Sequence, residues 1–241
     1  MGFDHSEAIR QSRADAAGML ASLFDRWKSE RPSFEEAFAK EIRAYPQMEA
    51  QSYRKWAADM ARFDAGAPIQ TIESLLPPPA AHRITAMMHS VEARGIPSGS
   101  RLAKVLAFLE TADFASVPVL RLRSALWASL AREAGQRRLP NEGVFTDFDV
   151  ISSFLPYCDA MLLDGDSVGL LRKEPLHSIA DEFQCKVFSA RNLEEFRDYL
   201  TQIVDDADTQ HLSLVADVYG SPSPAAFTTL FTHGSGATAA P

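Results

Sequence analysis

The sequence predicts a helix-rich α/β protein with a small parallel sheet. Two observations carry this. Across residues 1–140, apolar side chains recur three or four positions apart in one segment after another, the spacing of amphipathic helices. After Gly143 the texture changes: two short apolar runs, AMLL at 160–163 and KVFS at 186–189, alternate with helical segments, the pattern of parallel strands joined by crossovers. The expected organisation is a helical region over 1–140, an α/β part over 141–220, and a Ser/Pro/Gly/Ala/Thr-rich tail over 221–241.

The elements follow in order. In 6–29, Ala16, Leu20, Leu23 and Trp27 form one stripe at spacings of 4, 3 and 4. Pro32-Ser33 opens a second helix, with Ser33 and Glu36 spaced for a capping box. Pro46 is read as its end, because proline lacks the donor an interior position needs. Tyr53, Trp56, Met60 and Phe63 mark a third helix, and Pro77-Pro78-Pro79 breaks the chain.

Further helices are expected at about 81–94 (Ile84, Met87, Met88 and Val91 inward, Gly95 as the stop) and 102–110 (Leu102, Val105, Leu106, Leu109). Another spans about 120–134, with Leu122, Leu126, Trp127 and Leu130 inward and Gly135 as the stop. Asp147 or Asp149 caps a short helix through Phe154, ended by Pro156. The AMLL and KVFS strands follow. A helix over 193–204 carries Leu193, Phe196, Leu200 and Ile203 on one face, and 211–219 reads as a third strand.

With 241 residues, 46% of them hydrophobic, and 15 Phe and 3 Trp, the chain can bury a large core, which excludes disorder as its general state. The net charge of −8 excludes a polycation that wraps nucleic acid. Residues 101–140 nevertheless carry +4, leaving −12 on the rest. Such a stretch suits either a phosphate-binding face or ordinary solvated helix surfaces. The two cysteines, Cys158 and Cys185, form no CxxC pair and so no zinc framework. No run approaches the roughly 18 apolar residues of a membrane span, and the first residues lack the apolar core of a signal peptide. A cytoplasmic protein with free thiols is expected.

The chemistry-bearing pattern is acidic: Asp147, Asp149, Asp159, Asp164 and Asp166. Asp147 lies at a helix start and Asp164 at a strand end. In a parallel α/β unit these positions meet on one sheet edge. Carboxylates gathered there repel unless a cation occupies the site, and hard oxygen donors suit Mg²⁺ or Mn²⁺. The plainer reading is that Asp147 and Asp149 cap a helix and that Asp164-Gly165-Asp166 is a turn.

A resemblance sharpens this pattern. The run TDFDVISSFLPYCDAMLLDGDSVGLL, followed by KVFSARNLEEFRDYLTQI, is similar to a group of bacterial PIN-like proteins, with the upstream LWASLAREAGQRRLPNEG as weaker support. The similarity covers about 126–203. Its signature is Pro156, Tyr157, Cys158 and Asp159, with Asp159 read as structural. The resemblance implies a small parallel sheet of an α/β/α sandwich, a cluster of acids holding Mg²⁺ or Mn²⁺, and cleavage of RNA or sometimes DNA. Mapped residue by residue, it makes Asp147 and Asp164 catalytic and metal-binding, with Asp166 in support and Glu41, on an early helix, as a further ligand. Arg137 and Arg138 would meet the phosphate backbone.

Where the family opens on a hydrophobic strand ending in an essential Asp, this chain opens MGFDHSEAIRQ. That departure makes the sandwich incomplete and leaves two alternatives. One is that an upstream segment or a protein partner completes the sheet. The other is a non-catalytic helical interaction protein with a residual sheet.

Overall fold

The structure is a computed structural model describing residues 6–68 and 75–219. The expected tail over 221–241 and Asp4 lie outside those residues. The chain divides into two compact units with the boundary between Ser189 and Ala190.

In the first unit, α1 (Ser6–Glu30), α2 (Phe34–Asp64), α3 (Pro79–Glu92), α4 (Ser98–Leu109), α5 (Ala112–Ala115) and α6 (Pro118–Glu133) precede α7 (Val144–Phe154). β1 (Ala160–Leu162), α8 (Gly165–Leu171), α9 (Leu176–Asp181) and β2 (Lys186–Phe188) follow. The strands pair in parallel, Ala160 opposite Lys186 and Leu162 opposite Phe188. Backbone hydrogen bonds extend the ladder at both ends, from Lys186 N to Asp159 O and from Leu163 N to Phe188 O. A helix-rich α/β fold with a small parallel sheet is therefore what the chain forms.

The hub is α6. Its run from Ser124 to Ala131 is buried on every face, as expected of a helix surrounded by others. α2, α7, α9, α1, α8 and α5 all pack against it. Trp127 ties three helices together, with ring centres 6.3 Å from Trp27, 5.1 Å from Phe145 and 4.9 Å from Phe148. A second cluster joins α2, α3 and α4 through Tyr53, Ile84, Val105 and Leu109.

Several expectations need correcting. Pro46 does not end a helix; it is buried inside one continuous α2. Only one hydrogen bond is lost at a proline, and α2 packs along α6, α3 and α4 over its length. The Ser33–Glu36 capping box is present in full. Gly95, at φ 79°, takes the left-handed conformation that stops α3. Gly135 follows the cap of α6, Ala134, as expected of a stop, but does not take the left-handed conformation.

The second unit contains α10 (Leu193–Asp206) and α11 (Thr209–Tyr219). The expected third strand over 211–219 is thus a helix. Thr209 through Tyr219 close helical hydrogen bonds within the segment and so need no edge partner. Leu193, Leu200 and Ile203 of α10 are exposed.

Candidate functional site

The chain between α6 and α8 forms the site. Asn141 Oδ1 accepts from Gly143 N at 2.9 Å, an Asx turn that starts α7. Asp147 consequently sits inside the first turn of α7, and its N–H donates to Gly143 O. It does not cap the helix, and neither does Asp149, which pairs with Arg123 at 3.1 Å. Asp164 does cap: its Oδ1 accepts from Asp166 N and Ser167 N at 2.7 and 2.8 Å, starting α8 directly after β1. Its Oδ2 accepts from Ser167 Oγ at 2.9 Å.

These turns bring Asp147, Asp164, Asp166 and Arg137 around one cavity of about 120 Å³, with Leu130 and Phe148 among its apolar walls. Burial pushes the Asp147 carboxyl above its ordinary range, and the nearby Asp164 charge adds to the shift. This happens despite the helix dipole, which favours negative charge in a first turn. Asp147 takes no hydrogen bond or ion pair through its side chain among the described residues. Arg137 holds Asp166 at 3.8 Å and Glu133 at 3.4 Å.

An adjoining cavity of about 330 Å³ adds Glu133, Gln136 and Lys173 to the shared Arg137 and Asp166. Lys173 pairs with Glu133 at 2.7 Å. Sequence reading missed Glu133 and Lys173. The four-residue spacing of Glu133 and Arg137 signalled the first, whereas nothing local signalled Lys173.

Other expected site residues lie elsewhere. Glu41 lines a different, aromatic pocket with Tyr45, Arg123 and Trp127. Arg138 is exposed and lines neither acidic cavity. The Pro156-Tyr157-Cys158-Asp159 run is the 3₁₀ turn and lead-in to β1: Tyr157 is 73% exposed, Cys158 half-buried, and Asp159 anchors the ladder through its backbone carbonyl. Of the basic residues over 101–140, Arg101, Arg121, Arg123 and Arg137 are held in ion pairs with Glu92, Glu182, Asp149 and Glu133. The excess positive charge there is therefore largely neutralised in place. Among the described residues no three His, Cys, Asp or Glu gather as a metal-holding group, and no helix is long and apolar enough to cross a membrane.

Comparison with protein-family models, with curated proteins and with solved structures finds no match.

Proposed function

We propose that this chain is a PIN-like protein that holds a single Mg²⁺ or Mn²⁺ at the Asp147–Asp164 cavity and cleaves RNA there. The observation carrying this reading is the meeting of a helix-start acid and a strand-end acid in one cavity, where Asp147 has no neutralising partner among the described residues. Mg²⁺ keeps several waters and needs only one or two protein carboxylates, so this donor set fits one ion. It is too thin for a two-ion site. When bound, such an ion activates water and offsets phosphoryl charge. On this reading Asp147 and the Oδ2 edge of Asp164 hold the ion. Arg137 takes a phosphate oxygen, and Asp166 positions the guanidinium.

A second reading has its own support. Both Asp164 oxygens already accept hydrogen bonds at the start of α8, and the third acid of the cavity, Asp166, is exposed and pairs with Arg137. A scaffold that meets a protein partner through an unpaired sheet edge accounts for that as well; Leu162 on β1 is 53% exposed.

Calorimetric titration of Mn²⁺ separates the two. Under the first reading wild type binds in the micromolar range, and Asp147→Asn weakens binding by about tenfold or more. RNA cleavage is then lost in the same variant. Asp147→Asn is the cleaner probe, because changing Asp164 also removes a helix cap. If wild type fails to bind, the scaffold reading stands.

A further inference from the structure

We propose that the pocket enclosed by α1, α2, α6 and α7 binds a small organic cation with an apolar body, such as a substituted ammonium. The Glu41 carboxylate supplies the counter-charge, and the Trp27, Trp127 and Phe145 rings supply the walls.

The pocket encloses about 340 Å³, within the range of small-ligand sites. Its aromatic wall is continuous: Trp127 stands 6.3 Å from Trp27 and 5.1 Å from Phe145. Met19 and Met48 flank the mouth and are 53% and 54% exposed. Thioethers of this kind adapt to irregular apolar surfaces.

Glu41 supplies the selectivity. It is half-buried and, among the described residues, takes neither a hydrogen bond nor an ion pair through its side chain. The cations around it are engaged. Arg123, which itself lines the pocket, lies 5.4 Å over the Tyr45 ring and pairs with Asp149 at 3.1 Å, so its charge is met from outside the pocket. Lys40 and Arg26 both reach Glu30 at 3.9 Å. A carboxylate stripped of water without a partner is costly, and burial accordingly pushes the Glu41 carboxyl above its ordinary range, against the pull of Lys40, Arg123 and Arg26. An ammonium carried on an apolar group removes that cost. Its charge meets the carboxylate, and its apolar body meets the aromatic lining. A phosphate or carboxylate ligand would meet repulsion from Glu41. This pocket is separate from the Asp147–Asp164 cavity, and its test does not depend on metal binding or RNA cleavage.

The experiment is titration of benzyltrimethylammonium into the full chain, followed by calorimetry and by tryptophan fluorescence, with benzyl alcohol as the uncharged control. The expected result is that wild type binds the cation more tightly than the alcohol, and that Glu41→Gln weakens the cation by about tenfold while leaving the alcohol unchanged. Ala44→Phe, at an exposed position on the lining, fills the pocket and weakens both. The probe has a fixed charge, so its affinity should rise with pH above the ordinary carboxylate range as Glu41 ionises in wild type, and stay flat in Glu41→Gln. The other groups facing Glu41 are Arg26 from α1 and Lys40 from α2 with their shared partner Glu30, Tyr45 from α2, and Arg123 from α6 with its partner Asp149 on α7. Equal binding of cation and alcohol by wild type, or undiminished cation binding by Glu41→Gln, overturns the proposal. The pH series on wild type decides the matter even if a variant proves unstable.

Discussion

Two acidic side chains about two turns apart on α2 meet opposite circumstances. Glu49 is only 5% exposed, at the seam with α3, and Arg83 grips it with two nitrogens, one at 2.9 Å. That hydrogen bonding also raises Arg83 above its ordinary pKa. Glu41 faces aromatic rings with no such grip among the described residues. The same residue type on the same helix is a structural strut in one place and an unmet charge in the other. Asp164 and Asp147 repeat the contrast across the acidic cavity: one is occupied in starting α8, and the other is left with a raised pKa. A carboxylate that a fold has already satisfied tells little about function, whereas one it leaves unsatisfied points to a ligand or a proton.

The sharpest way to break this comparison is to remove the grip. Arg83→Ala leaves Glu49 buried and unpaired, and should cost about 3 kcal/mol in chemical denaturation. Adding Glu49→Gln should recover much of that loss, because the uncompensated charge is gone. Neutral behaviour of Arg83→Ala would mean that Glu49 reaches water more easily than its burial implies.

Asp164→Ala should cost about 1 kcal/mol, the usual value of an N-cap. Asp164→Asn, which retains a capping oxygen, should cost less. If both lose the same amount, the cap is not what holds Asp164.

The smallest effect has the opposite sign. The Glu41 carboxyl is raised in the folded state, so between its ordinary pKa and the raised one the native chain holds more proton than the unfolded chain. Stability from this group is greatest below the ordinary carboxylate range and is lost as pH rises through the folded value. Glu41→Gln should therefore be neutral at low pH and stabilising near neutrality, by no more than about 1 kcal/mol after solvent screening. Thermal unfolding of both proteins across that range measures it. A variant less stable than wild type at neutral pH would show that the carboxylate has a partner after all.

Much of the fold was legible because helical periodicity is local. The stripes through Leu20 and Trp27, Ile84, Val105 and Leu109, and Leu122, Leu126 and Leu130 are all buried as their spacing required. The two strands were readable from short apolar runs between polar residues. Pro46 and the 211–219 segment were misread for related reasons. A proline's local penalty is small beside the packing of a 31-residue helix, and an apolar run by itself does not choose between strand and helix.

What the sequence determined by itself was therefore the class of fold, the positions of most helices, the Ser33–Glu36 cap and the candidacy of Asp147 and Asp164. The first three rest on interactions within a few helical turns or on strand-length apolar runs, whereas the candidacy of the two acids rests on the expected α/β topology and on a resemblance. Tertiary structure decided which charges are met beyond the local i,i+3 and i,i+4 pairs. Arg83 reaches Glu49 from 34 residues away, Arg121 reaches Glu182 from 61, and Glu41 is enclosed by rings drawn from four helices. Ion pairing and desolvation depend on what folding places within a few ångströms, and no local pattern in the chain records that.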